Sequence, residues 1–366
     1  MRTGRTIQEV AAEVVSQAAT KKDYISPVSK LRMLDGENLF IDGVGEYRVN
    51  NHSHGQIGEF VGIPAPYYKR MATEAPALLA NNVNTWLQKA PEKRMLRTIT
   101  QERPTLRAFL GAGYRRLDNF DLLNNIIPFM GNEYGQPLVI ESCEVTESKF
   151  YLKVIAPHTE RDLTTLMKPG SHTRLHEPVQ CGFIVQNSEI GMGAISAAPF
   201  TKVLVCSNGM TIEEFGQRRR HSGKRIGGGD DGPQDADFYS DETKALDDAA
   251  FWAKVKDTIR ACVSDETVGK IFRKLAEARD LKIEKAPEEV VELLGTNYSL
   301  SESQKSSVLR NLIDQGLGMN MWGLSNAITA AAKEADLDYS TASEMERIGG
   351  KVISLAPTEW KALATN

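Results

Sequence analysis

The chain has 366 residues, of which 41% are hydrophobic and 25% are charged, and its formal net charge is −4. This ordinary globular composition excludes a disordered chain, a collagen and a coiled-coil rod, and no apolar run reaches the roughly 20 residues that span a bilayer. Residues 1–15 lack both an apolar core and a small-residue cleavage site. We therefore expect a cytoplasmic protein that has no membrane partner.

The first region, residues 1–90, is predicted to be largely helical. Apolar residues between Ile7 and Ala18 recur at helical spacing, which predicts an amphipathic N-terminal arm. A stretch rich in Gly and Asp, residues 35–45, predicts a hairpin-like connection. Further helical segments are predicted at residues 57–61, 67–72 and 78–87.

The central region, residues 91–229, changes to strand patterns. A helix is predicted from Asn119 to Met130, because Leu117–Asn119 offers an N-cap and the apolar residues that follow share one face. Turns are predicted around residues 147–148, 187–188 and 208–209. The strands between these signals are predicted at residues 94–100, 105–110, 138–146, 149–156, 179–186, 191–198 and 202–207.

The last region, residues 230–366, is predicted to be helical, and a Gly-rich loop at residues 217–232 leads into it. Ser301 and Gln304 have the spacing of a capping box that starts one of its helices. The predicted fold class is therefore α+β. It has a central, mostly antiparallel sheet with packed helices, an N-terminal helical arm and a C-terminal helical region.

Metal-ligating side chains occur together in one stretch of the central region. His172 and His176 are four residues apart and would share a helix face, but the sequence around them predicts a loop. A zinc site needs about four ligands on a defined frame, so we predict no cofactor and no metal site. The candidate ligands of the alternative reading, a metal-dependent enzyme, are His158, Asp162, His172, His176 and Glu177, with Cys181 nearby.

Other catalytic motifs are missing from the sequence. No Gly-x-x-x-x-Gly-Lys-Ser/Thr string occurs, which excludes P-loop ATP hydrolysis, and no nucleophile elbow is present. The four cysteines form no Cys-x-x-Cys pair, so we expect reduced thiols. We assign no catalytic residue, and an enzyme is the less favoured interpretation.

Charge is unevenly distributed along the chain. Residues 230–366 contain 16 basic and 25 acidic residues, a net charge of −9, which leaves 28 basic and 23 acidic residues, or +5, for residues 1–229. The excess is explained either by solvated faces or by a basic surface that binds an anion, most simply nucleic acid.

Two basic clusters carry the nucleic-acid interpretation. The first, between Lys89 and Arg116, interleaves basic and aromatic residues, and arginine neutralises phosphates while aromatic faces stack on unpaired bases. The second is the Gly-rich loop, which would act as a flexible clamp or be masked by the acidic residues after it. The predicted contacts are Arg97, Arg103, Arg107, Tyr114, Arg115 and Arg116 in the first cluster, and Arg218, Arg219, Arg220, Lys224 and Arg225 in the second.

Six short strings occur in series along the chain. They are Ile63-Pro64 with Tyr67-Tyr68 and Arg70-Met71, residues 82–87 (NVNTWL), 114–119 (YRRLDN), 186–191 (QNSEIG), 205–210 (VCSNGM) and 322–329 (WGLSNAIT). In this order the chain, from about Ile57 to Trp360, resembles a phage- and plasmid-associated family catalogued as domain of unknown function 932. The resemblance implies the biology of a mobile element and brings no established catalytic residue.

A looser resemblance concerns the order of the central elements. A helix, several antiparallel strands and a long helix resemble the core of phage single-strand annealing recombinases, which form rings or filaments and hold single-stranded DNA in a basic groove. This is a fold-level analogy. It implies a single-stranded DNA partner, with RNA left open, and a homo-oligomer.

The leading hypothesis is therefore a single-stranded nucleic-acid-binding protein of phage or plasmid DNA metabolism, with DNA annealing in recombination as its most specific form. The first alternative is a metal-dependent enzyme that acts on nucleic acid or nucleotides. The second is a structural or assembly protein of a mobile element.

Overall fold

The computed structural model describes residues 4–166, 176–205, 207–213, 216–219, 240–314, 318–334 and 336–365. These residues form two sheets and a helical C-terminal region, which confirms the predicted α+β class. None of the described helices combines the length and the apolar character that a membrane crossing requires.

A six-stranded sheet follows the N-terminal helix. Its strand order is β1-β5-β6-β4-β3-β2, and every pair is antiparallel except β4 with β6. One face packs against three helices around Leu39, Ile57 and Leu96. The elements are α1 (Ile7–Thr20), β1 (Lys21–Pro27), β2 (Leu31–Met33), β3 (Asn38–Ile41), β4 (Gly45–Val49), α2 (Asn51–Phe60), α3 (Ala65–Glu74), α4 (Pro76–Leu87), β5 (Lys93–Thr100) and β6 (Pro104–Gly111).

This sheet changes the predicted organisation of the first 111 residues. The region at residues 1–90 contains four strands in addition to its helices, and a boundary between residues 90 and 91 falls inside the sheet, because β5 pairs with β1 and β6 pairs with β4. Strands as short as β2, with three residues, are too brief for an alternating pattern to stand out.

The second sheet has seven strands in the order β12-β11-β10-β8-β7, with β9 paired to β10 and β13 paired to β11. The predicted helix that precedes it is confirmed as α5, which runs directly into a π-helical turn at Phe129–Glu133. The elements are α5 (Asn119–Pro128), β7 (Val139–Val145), β8 (Phe150–Ile155), β9 (Arg161–Asp162), β10 (Pro178–Asn187), β11 (Ile195–Val203), β12 (Asn208–Thr211) and β13 (Gln217–Arg219).

Two local predictions for this sheet are wrong. Strands were expected at residues 191–198 and 202–207, but one strand, β11, runs from Ile195 to Val203. The turn expected at Asn208–Gly209 is the start of the buried strand β12. In addition, the predicted loop at residues 217–232 begins with a strand, because Gln217–Arg219 pairs with Ala197–Ile195 of β11.

Seven helices complete the described part of the chain. Ser240, Ser264 and Asp338 cap three of them with their side chains, and the capping box of Ser301 and Gln304 is confirmed by bonds of 2.8 and 3.3 Å. The helices are α6 (Asp241–Cys262), α7 (Asp265–Asp280), α8 (Pro287–Tyr298), α9 (Glu302–Asp314), α10 (Met321–Ala331), α11 (Tyr339–Ile353) and α12 (Pro357–Ala364).

The seven-stranded sheet lies between helices on both faces. Phe183 and Val185 of β10 pack with residues of α1, α5 and α6 on one face, while Ile184 and Phe200 pack with Tyr339 of α11 on the other. The C-terminal helices therefore share a core with this sheet and cover it.

Candidate nucleic-acid interface

Arg97, the first predicted phosphate contact, lies inside the protein. Its side chain is 4% exposed and donates to Asp23 at 3.0 Å, to Asp118 at 2.7 Å and to the carbonyl oxygen of Glu189 at 2.8 Å. Burial alone would lower the pKa of Arg97, but Asp118, Asp23 and Glu189 outweigh it and raise that pKa. Protein carboxylates therefore occupy the guanidinium of Arg97, which leaves it no open face for a phosphate in this conformation.

Arg107 and Tyr114 also point into the junction between the two sheets. Arg107 pairs with the carboxylate of Glu189 at 3.3 Å, and its side chain is 12% exposed. Tyr114 donates its hydroxyl to the carbonyl oxygen of Ser188 at 3.0 Å, and burial raises its pKa. Neither side chain has the open face that stacking or phosphate contact would use in this conformation.

Arg115 and Arg116 face different surroundings. Arg115 pairs with Asp248 at 2.5 Å and Asp247 at 3.1 Å, and it lies over the ring of Phe251 at 4.9 Å. Through these contacts Arg115 connects the segment before α5 with α6. The side chain of Arg116 is 49% exposed and has Asp23 as an ion-pair partner at 3.3 Å.

Arg103 lies in the exposed connection between β5 and β6. Within the described ranges Arg103 forms no ion pair. Of the first cluster, Arg103 and Arg116 are the two predicted contacts that present substantial side-chain area to solvent.

The second cluster carries the whole basic excess of the first 229 residues. Residues 1–217 hold 23 basic and 23 acidic residues, whereas residues 218–229 hold five basic residues and no acidic one. Arg218 and Arg219 lie in β13, where their backbones pair with Ser196 and Ile195. Arg220, Lys224 and Arg225 lie outside the described residues.

A polar groove of about 560 Å³ opens beside β13, between the seven-stranded sheet and the C-terminal helices. Ser196, the partner of Arg218, is one of its lining residues. The volume falls within the range of about 300–1,000 Å³ that is usual for ligand sites. The walls are formed by residues 148–151 at the start of β8, by residues 186–188 and 192–196 between β10 and β11, by Glu213, by the junction of α8 and α9, and by residues 340–348 of α11.

Three features of the groove wall stand out physically. Ser343 is 4% exposed, and its hydroxyl oxygen is buried without a hydrogen-bond partner in the part of the chain that the structure describes. Ser299 has a φ of 56°, a left-handed conformation that a non-glycine residue adopts at a cost. Lys149 lines the groove, and no described carboxylate pairs with it.

Below the groove, α11 is joined to the sheet by buried polar contacts. Lys153 of β8 and Glu346 of α11 are both fully buried and pair at 2.5 Å. Tyr339 bonds to Ser142 at 2.6 Å, and burial raises the pKa of the Tyr339 hydroxyl. These contacts fix the position of the helix that forms one wall.

The candidate metal ligands are dispersed where the structure describes them. His176 bonds to Asp162 at 2.5 Å, whereas the fully buried Glu177 is paired with Arg279 of α7. His158 is exposed and packs near the ring of Tyr134 at 6.2 Å. Among the described residues no group of three or more His, Cys, Asp or Glu could hold a metal ion, and His172 lies outside them.

Three cysteines are buried thiols. Cys143, Cys181 and Cys262 are free and fully enclosed, and burial raises the pKa of each thiol to about 12. A thiol with so high a pKa is a poor nucleophile at neutral pH. Cys206 lies outside the described residues.

The six strings behind the family resemblance meet in pairs. Asn187 donates to Leu117 and Asn119, which joins the fourth string to the third. Asn208 donates to Asn326 at 3.2 Å, which joins the fifth to the sixth.

The remaining pair joins the second string to the first, since Asn82 donates to the sulfur of Met71 at 3.4 Å. In this structure the strings therefore serve mainly as packing contacts between distant segments.

Comparison with known proteins returned no match: no family model, no curated protein and no solved structure is similar to the chain. The resemblance to domain of unknown function 932 stays a prediction.

Sequence reasoning missed the groove, because its walls come from segments as distant as Ser148 and Ile348. It also missed Lys153 and Glu346, which read as ordinary charged residues. The one available signal in the sequence is the polar pair at residues 187–188, for which a turn is predicted. In the structure residues 186–188 do line the groove.

Proposed function

We propose that this protein binds single-stranded nucleic acid at the basic stretch that starts in β13. One observation carries the proposal: the stretch that contains the whole basic excess begins on an edge of the seven-stranded sheet, beside the groove. The contacts are Arg218, Arg219, Arg220, Lys224 and Arg225, with Arg103 and Arg116 as further exposed cations.

The chemistry favours a phosphate backbone as the partner. Five cations within eight residues can neutralise several phosphates of a nucleic-acid strand, and phosphate contacts dominate the affinity of such complexes. A groove that carries polar and aromatic side chains beside such a stretch is the combination that single-strand binders use. Annealing of complementary strands during recombination, and assembly of several copies on one strand, are the more specific forms of this function.

Four residues predicted from the sequence are not part of the proposed interface: Arg97, Arg107, Tyr114 and Arg115. Their polar groups are engaged with Asp23, Glu189, Ser188 and Asp248. They hold the two sheets and α6 together, and in that way they support the surface that carries the interface.

The proposal is tested by fluorescence anisotropy with a labelled single-stranded oligonucleotide, in the presence of single- or double-stranded competitors. Five phosphate contacts predict a log–log salt slope of about −3 to −4 for a single strand, since each contact contributes about −0.7. Stronger competition by the single strand supports the proposal. No binding at about 50 mM salt, where such contacts are strong, contradicts it.

A further inference from the structure

Resting on that proposed function, we infer that the groove beside β13 receives unpaired nucleobases of the strand whose phosphates lie on the basic stretch. The ligand class is a neutral heteroaromatic base, and the site is the wall formed by Tyr151, Ser196, Tyr298 and Ser343.

The charges of the groove favour a neutral ligand over a phosphate. Arg347 lines it but is already paired with Glu213 at 3.0 Å and with Glu344, so these three side chains contribute a net negative charge. Lys149 brings the total of the four to zero. A phosphate would gain little attraction here, whereas a base carries no charge and loses less on leaving water.

The polar groups of the wall suit the edges of a base. Gln186 and Gln304 bring amide groups, and Tyr298 brings a half-buried ring and a hydroxyl. The hydroxyl of Ser343 is buried without a partner among the described residues, and such a group costs free energy until a ligand bonds to it. Bases supply both donors and acceptors, together with a π-face for an aromatic side chain.

The backbone position of Arg218 brings the basic stretch next to the groove. Because Arg218 pairs with Ser196, which lines the groove, a strand held along β13 would have its bases beside the groove. Phosphate and base would therefore contact neighbouring but chemically different surfaces, one cationic and one neutral.

The test compares a normal oligonucleotide with one of equal length in which the bases are replaced by abasic sites. Both carry the same phosphate charge, so they separate base contacts from backbone contacts. We expect the abasic strand to bind the wild-type protein at least about fivefold more weakly, since stacking and hydrogen bonds of the bases are lost. Equal affinity for the two strands overturns the inference and leaves the proposed function intact. Failure of both strands to bind overturns the proposed function itself.

Two variants locate the effect. Ser196→Trp places a bulky ring in the groove and is expected to abolish the difference in affinity between the two strands. The control Ser29→Trp, at an exposed position beside the six-stranded sheet, should keep that difference. Ser343→Ala removes a hydroxyl that has no partner among the described residues, so the fold tolerates it. The substitution should weaken binding of the normal strand about two- to tenfold, as expected for the loss of one hydrogen bond. The affinity for the abasic strand should stay unchanged. If the Ser196→Trp protein still binds the normal strand more tightly than the abasic strand, the bases bind elsewhere and the inference is contradicted.

Photo-crosslinking gives an independent readout. An oligonucleotide that contains 5-iodouracil is expected to crosslink to peptides with Tyr151, Met192 or Tyr298, which line the groove. Crosslinks confined to the six-stranded sheet would overturn the assignment.

Discussion

The carboxylate of Glu189 accepts the backbone N–H of Asn119 at 2.8 Å, across 70 residues of sequence. The same carboxylate pairs with Arg107, and its carbonyl oxygen accepts from Arg97. One acidic residue in the connection from β10 to β11 therefore joins the start of α5 to two strands of the six-stranded sheet. Basic residues that read as a nucleic-acid surface in the sequence are the partners of this internal network.

Removal of Arg97 is predicted to destabilise the fold strongly. Arg97→Ala leaves the buried carboxylate of Asp118 and the largely buried one of Asp23 with fewer cationic partners, and breaking a buried pair costs about 3–5 kcal/mol. Urea unfolding should report a loss in this range. The control Arg103→Ala, at an exposed position, should change the unfolding free energy by less than about 0.5 kcal/mol. Equal effects of the two substitutions would show that Arg97 is not structural.

The same network predicts a pH dependence. Burial favours the neutral form of Asp118, but Arg97 and Lys21 outweigh it and hold the pKa of Asp118 below its ordinary value of about 3.9. A carboxyl with a lowered pKa contributes stability above its unfolded pKa, and this contribution is lost as the pH falls through the folded pKa. The difference in unfolding free energy between wild type and Asp118→Asn should therefore be largest near pH 7 and shrink below about pH 4. A difference that stays constant from pH 7 to pH 3 would contradict this explanation.

The ion pair of Lys153 and Glu346 predicts a non-additive double substitution. Both side chains are fully buried, so Lys153→Met alone leaves an uncompensated carboxylate and should cost about 3–5 kcal/mol. Replacing both partners, as in Lys153→Met with Glu346→Leu, should recover most of that loss because no buried charge remains. Additive losses in the double variant, measured by chemical denaturation, would show that the two residues act independently.

Close packing of α11 on β12 predicts an intolerant glycine. A Cβ at Gly350 would overlap the carbonyl oxygen of Thr211, so Gly350→Ala must push the helix away from the sheet. We expect a clear drop in the thermal midpoint. The matched control is Gly131→Ala, where a Cβ would meet no atom within 4 Å in the described structure and the midpoint should hold or rise. A Gly350→Ala protein with an unchanged midpoint would mean that α11 does not pack as described.

Short sequence signals predicted the residues at which some helices begin. Ser301 with Gln304 marks the start of α9. The start of α5 was also predicted, but Asp118, its N-cap residue, makes no capping bond with its side chain, and the N–H of Asn119 bonds to the distant Glu189. Asn208–Gly209 misled because an Asn-Gly pair usually forms a turn. Here the amide of Asn208 is held by Asn326, 118 residues away, and a distant contact of this kind has no local signature.

The sequence predicts the total charge of a stretch, but it does not predict which of its charged side chains are exposed. The stretch from Lys89 to Arg116 has an excess of basic residues in the sequence. Whether one of these cations can contact a ligand depends on carboxylates from other segments, as the pairing of Arg97 with Asp23 shows. The groove could not be predicted because residues from five separate stretches form it. By contrast, residues 218–225 contain no acidic residue, and the interpretation of that stretch as a nucleic-acid contact stays a prediction.

The most direct test of the central claim is a comparison of two charge-neutralised proteins in the anisotropy titration. One carries Arg218→Gln, Arg219→Gln, Arg220→Gln, Lys224→Gln and Arg225→Gln. The other replaces by Gln five exposed cations in or beside the six-stranded sheet, namely Lys22, Lys30, Arg32, Arg48 and Lys69. Both lose the same total charge. We expect the first protein to lose single-strand binding and its salt dependence, while the second retains most of both. Equal losses, or retained binding by the first protein, would contradict the claim that the stretch beginning in β13 holds the strand.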